Sequence, residues 1–147
     1  MTVIALVTWA CLTAAQTAPD QLPWLKGFEG TRVVQNPRGA EADIAVTIVR
    51  EGSLLVLKAV SGGREIVTRY DLSGADLTNK NVTGTSVFRT RIEGQKLVTQ
   101  IWTNEAVGPP RAIETRYMES ADLMVTELSK TAGEPPFNRT VLQRKKG

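Results

Sequence analysis

Residues 83–103 read TGTSVFRTRIEGQKLVTQIWT. Two strand-like runs, Thr83 to Ile92 and Gln95 to Thr103, flank Glu93-Gly94, a short connection ending in the residue that tolerates the positive φ of a tight hairpin. Counting cross-strand partners outward from such a turn sorts the side chains onto two faces. One face collects Phe88, Ile92, Leu97, Thr99 and Ile101. The other collects Arg89, Arg91, Lys96, Gln100 and Trp102. An antiparallel sheet with its core on one side and water on the other has this division.

The same grammar runs outward in both directions. Asp43 to Arg50 and Ser53 to Val60 flank a second Glu-Gly pair, Glu51-Gly52. Strand signals recur at Arg64 to Tyr70, Arg111 to Met118, Asp122 to Ser129 and Phe137 to Arg144, with a weaker one near Thr31 to Gln35. No stretch sustains a helical period of apolar residues, so parallel crossovers lack their helices. The expected fold class is all-β: an antiparallel up-and-down meander of about eight to nine strands, closed into a barrel or strongly curved. The hairpin spanning residues 43–60 is apolar on both faces. Ile48, Leu55, Val46 and Leu57 share one side, while Val49, Leu54, Val56 and Val60 largely line the other. It must be covered twice, by the segment around Trp24 and Phe28 or by a partner, unless it is an exposed binding patch, which makes a homodimer through this hairpin one candidate contact.

At 147 residues the chain has room for one domain with a full core. It holds a single cysteine, Cys11, and no histidine. Thiol nucleophiles, disulfides, zinc sites and histidine acid–base chemistry are therefore excluded as working parts of the mature domain, and no cofactor is implied. A diffuse net charge of +3 does not argue for nucleic acid. Val3 to Leu12 is apolar but too short to span a bilayer, and small residues follow at Thr13-Ala14-Ala15. Residues 1–15 thus read as a secretory signal, leaving 16–147 as one exported barrel-like domain, periplasmic or extracellular. Asn81-Val-Thr and Asn138-Arg-Thr match the glycosylation sequon, which matters only in a eukaryotic secretory route.

Two features of the later strands bear on function. First, Thr68-Arg69-Tyr70 recurs as Thr115-Arg116-Tyr117, each following a Glu-Gly turn. A duplicated three-strand unit and chance recurrence of strand-favouring residues both account for it. Second, if Ser129 lies opposite Phe137, then Glu127 faces Arg139 and Val125 faces Val141. The apolar neighbours Ile113, Tyr117, Leu123 and Val125 would draw that pair inward, whereas a register shifted by one turns Arg139 out to water.

Over Thr83 to Lys145 the succession Thr-Arg-Ile-Glu-Gly-Gln-Lys-Leu-Val, then Arg-Tyr-Met, then a closing strand ending Gln-Arg-Lys resembles the C-terminal half of the calycins. These are the lipocalins and fatty-acid-binding proteins, together with short lipocalin-like proteins exported by bacteria. Where lipocalins carry Gly-x-Trp, this chain has Gly30-Thr31-Arg32. Where fatty-acid-binding proteins carry Arg-x-Tyr, it has Arg139-Thr140-Val141. The resemblance implies a non-catalytic binder of a small apolar or amphipathic molecule, with Arg139 and Glu127 at an acidic head group and Tyr117 and Tyr70 lining the cavity. The alternative is an interaction or structural module of the envelope or extracellular space without a cavity. An enzyme using Glu127 and Tyr117 ranks behind both, since no catalytic motif accompanies them.

Overall fold

The strands pair in the order β4-β3-β2-β1-β10-β9-β8-β7-β6-β5, every neighbour antiparallel, in a computed structural model that describes residues 22–35 and 44–146. They are β1 (Gly30–Val34), β2 (Ala45–Glu51), β3 (Leu54–Ser61), β4 (Arg64–Asp71), β5 (Asp76–Asn81), β6 (Gly84–Glu93), β7 (Lys96–Thr103), β8 (Ala112–Met118), β9 (Leu123–Ser129) and β10 (Asn138–Arg144). Consecutive strands are neighbours everywhere except between β4 and β5. β1 joins β10, which brings the chain round on itself, and β4 and β5 form the two free edges. The result is a nearly closed up-and-down barrel. The expected signal segment, Met1 to Ala15, lies outside the described residues.

Ten strands stand where eight or nine are expected. The additional one is β5, Asp-Leu-Thr-Asn-Lys-Asn, whose Asp, Asn and Lys are poor strand formers. It is an edge strand, where charged and polar residues discourage pairing with other chains. Across the seam Asn79 imitates a backbone partner. Its Oδ1 accepts from the Arg69 amide and its Nδ2 donates to the Arg69 carbonyl, both at 2.9 Å.

Both Glu-Gly hairpins form, but each turn sits one residue later than the sequence suggests. Glu51 pairs with Leu54 and Glu93 with Lys96, so the loops are Gly52-Ser53 and Gly94-Gln95. Gly52 and Gly94 have φ of 61° and 60°, while Ser53 and Gln95 do not have positive φ. This is the type II′ pattern that matches strand twist. A one-residue move of the turn centre shifts pairing by two and preserves the face. Leu97 and Ile101 are accordingly buried and Phe88 partly so, whereas Arg89 and Lys96 are exposed and Arg91 is half-buried.

One end of the barrel is stoppered. Pro23–Phe28 forms a short 3-10 helix whose Leu25 and Phe28 are fully buried. They join Val46, Ile48, Leu55, Leu57, Leu72, Leu97 and Met124 in the core. The inner face of the 43–60 hairpin is therefore covered from within the same chain. Two arginines pin the stopper: Arg32 Nη2 and Arg144 Nη2 both donate to the Gly27 carbonyl, at 2.6 and 3.0 Å, and Arg144 Nη1 donates to Glu29. Arg32 stands where the resemblance places a tryptophan. It is wholly buried, and desolvation followed by the nearby Arg144 lowers its pKa.

Candidate functional site

Among the described residues, the opposite end carries a surface opening. A cavity of about 330 Å³ enters there, walled by Val34, Ile44, Val46, Leu57, Ala59 and Ile66, with Leu128 and Leu142 across from them. These residues come from β1 to β4, with Ile44 just before β2, and from β9 and β10. Alternation along each strand sends every second side chain inward. Among the described residues, the large apolar side chains that stay exposed are Val33, Val60, Ile66, Val82, Val107 and Phe137. The topology brings all six to the strand ends and loops at this mouth.

Polar groups line the cavity as well. Tyr70 reaches from β4 to β8, which is not its sheet neighbour, so its side chain crosses the interior. There Arg116 Nη2 donates to Tyr70 Oη at 3.1 Å and to Glu114 Oε1 at 3.0 Å. The guanidinium carbon lies 5.2 Å from the centre of the Tyr70 ring, and Phe88 of β6, just across the seam from β4, packs on that ring at 5.3 Å. Arg116 is 5 % exposed and Tyr70 4 %. Burial, reinforced by the Glu114 carboxylate, pushes the Tyr70 phenol well above its usual range, so it stays protonated. Burial alone would lower the Arg116 pKa, but Tyr70 and Glu114 more than offset this and the guanidinium is held firmly charged. Thr126 faces Arg116 across the β8–β9 ladder, Thr140 faces Thr126 across β9–β10, and both line the cavity.

Of the residues assigned from sequence, Tyr70 lines the cavity. The register of the last two strands also matches: Glu127 pairs with Arg139 and Val125 with Val141. The face is reversed. Met124, Thr126 and Leu128 point inward, so Val125 and Glu127 point outward, as do Tyr117 and Arg139. Tyr117 donates to Glu127 Oε1 at 2.9 Å, and Arg139 reaches Glu119 at 3.2 Å and Glu127 at 3.5 Å, with its side chain 45 % exposed. Burial and the bond to Glu127 raise the Tyr117 pKa. The trio is thus a surface network rather than part of the cavity. The apolar neighbours pointed the wrong way because this outer face is itself apolar and covered. Val125 is fully buried on it, between Tyr117 and Val141, with the Lys96 ammonium over the Tyr117 ring. Such coverage by the stems of long side chains is ordinary snorkelling.

Arg139→Ala is therefore expected to cost less than about 1 kcal/mol in urea unfolding, the range for an exposed ion pair. A cost several times larger would mean that the surface network is a structural keystone.

The two Thr-Arg-Tyr tripeptides are not equivalent in space. The first turns Tyr70 inward and the second turns Arg116 inward, and these two residues meet.

No family description matches the chain, and no curated protein sequence does. Two solved structures with the same architecture are the apo form of lipid binding protein 8 of Caenorhabditis elegans and the fatty acid transporter REP1-NXSQ. The first is 8% identical with a TM-score of 0.61, covering 82% of this chain and 97% of that one. The second is 10% identical with a TM-score of 0.58, covering 83% and 98%. The chain thus shares its fold, a nearly closed calycin-like β-barrel, with these two structures.

Proposed function

We propose that this protein is a non-catalytic carrier that holds one small, mostly apolar molecule in its barrel. The observation that carries this reading is the cavity itself. Among the described residues it has largely aliphatic walls, opens to the surface away from the stoppered end and carries a few convergent polar groups. Ligand pockets generally have this composition. The two similar barrels, described as a lipid-binding protein and a fatty acid transporter, support it as analogues of shape.

Titration with the uncharged dye 1-aminoanthracene tests the reading. One saturable site is expected, with fluorescence enhanced by transfer from water. Ala59→Trp places an indole in the cavity wall and should remove that site while leaving the unfolding midpoint in place. Equal binding by the variant would put the dye elsewhere, and no saturable binding would sink the carrier reading.

Export belongs to the same proposal and rests on residues 1–15. The intact mass of protein from its native host should correspond to a chain beginning at or near Gln16. A mature product that retains Met1 would place the carrier inside the cell.

A further inference from the structure

The polar cluster in the cavity is already charge-balanced. Arg116, the cation on the cavity wall, is matched by Glu114 at 3.0 Å, and both side chains are buried, with 6% and 12% of their surface exposed. A carboxylate ligand drawn to Arg116 would bring a second negative charge beside Glu114 in a poorly screened interior. Like charges repel strongly there, and desolvating the newcomer adds to the cost.

What the cluster leaves open is a neutral hydrogen bond. Arg116 Nε and Thr126 Oγ1 are both buried and have no hydrogen-bond partner among the described residues. They belong to directly opposed residues on β8 and β9, and both residues line the cavity. Buried polar atoms are normally satisfied, so an unpaired donor opposite an unpaired hydroxyl marks a place for an oxygen from outside the chain. A hydroxyl or carbonyl oxygen accepts from Nε without adding charge, and a hydroxyl can also donate to Thr126 or Glu114.

We infer that the cavity takes a ligand whose polar end is uncharged, an alcohol, ester or amide oxygen on an apolar chain, and that Glu114 is the residue that rejects a free carboxylate. This rests on the carrier reading above and narrows its ligand class.

Displacement of 1-aminoanthracene by 1-decanol and by decanoate at pH 8 tests the inference. Wild type is expected to prefer decanol. Because an alcohol is inherently the more apolar of the two, the decisive quantity is how that preference changes in Glu114→Gln. Freed of its counter-charge, Arg116 should then welcome decanoate, and the decanol-to-decanoate preference should fall by about tenfold or more, as close charge pairs change affinity. A second variant, Thr126→Val, leaves the ion pair alone. It should weaken decanol roughly fivefold relative to the dye, the worth of one ordinary hydrogen bond. Decanoate binding wild type as well as decanol does, or an unchanged preference in Glu114→Gln, overturns the neutral-head inference while the dye site, and with it the carrier reading, stands. Should Glu114→Gln not fold, an unweakened decanol in Thr126→Val overturns it equally. Absence of the dye site in wild type removes both.

Discussion

Arg116→Met is expected to lower the unfolding free energy by about 3–5 kcal/mol, the range for removing one member of a buried ion pair. The loss has little to do with the attraction itself. Arg116 satisfies Glu114 and Tyr70 at once and stacks its guanidinium on the Tyr70 ring. Without it, the Glu114 carboxylate remains inside the barrel with no counter-charge, and Tyr70 loses the donor that its oxygen accepts from. The same reasoning predicts strong non-additivity. Glu114→Leu combined with Arg116→Met removes both charges, and a buried pair replaced by apolar residues is often neutral or stabilising. The double variant should therefore be clearly more stable than Arg116→Met alone. Urea unfolding of wild type, both single variants and the double variant measures the coupling. A single-variant loss below about 1 kcal/mol would show that the pair is hydrated and not buried as the geometry has it.

That cluster was the part of the site least visible in the sequence. The strand pairs around Glu51-Gly52 and Glu93-Gly94 are legible because a two-residue turn fixes parity, and parity alone decides which side chains go inside. Leu97 is therefore placed correctly from its turn. Arg116 lies directly opposite Leu97 on β8, and the parity would have carried over had the connection been short. It runs instead through residues 104–111, and a loop of that length does not set register. Hydrophobicity alone is then left to choose the face, and Ile113, Tyr117 and Val125 point the opposite way from Arg116. They were misleading because the outer face of β8, β9 and β10 has apolar residues of its own, shielded by Tyr117 and Lys96. A charged residue on the cavity side and buried aliphatics on the solvent side invert the usual pattern. Such inversions are expected where a barrel interior holds polar groups instead of a solid core.

β5 was missed for a related reason. Its residues are chosen for an edge, where poor strand propensity and charge are useful, so the composition that protects the seam also hides the strand. Arg32 shows the reverse case. The departure from Gly-x-Trp marked the right place, since both Gly30 and Arg32 serve the stopper. Gly30 has φ of +118°, and a Cβ there would fall 2.8 Å from Arg144 Nη1. The glycine is required by backbone conformation and by the arginine that crosses it.

The stopper is where the second large effect is expected. Phe28→Ala should destabilise the protein by about 3–5 kcal/mol, the usual cost of deleting a buried phenylalanine ring. Phe28 is fully buried, meets the Trp24 ring edge-on at 5.7 Å and joins the core made by β2, β3, β7 and β9. A six-residue 3-10 helix has little stability of its own, because runs of that geometry are short and poorly bonded. Its place depends on burying Leu25 and Phe28 and on the two arginine bonds to Gly27. Loss of the ring should therefore loosen the segment as a unit. Arg32 would then face water with its carbonyl partner displaced, and the stoppered end of the barrel would open. Equilibrium unfolding should report the lost stability, and amide exchange should report faster opening at Leu25 and Glu29, whose N–H groups bond within the segment. The cavity wall near Ala59, far from the stopper, should keep its protection relative to the new global stability. A Phe28→Ala protein as stable as wild type, with Leu25 still protected, would mean that the arginines alone hold the stopper and that its apolar contacts are incidental.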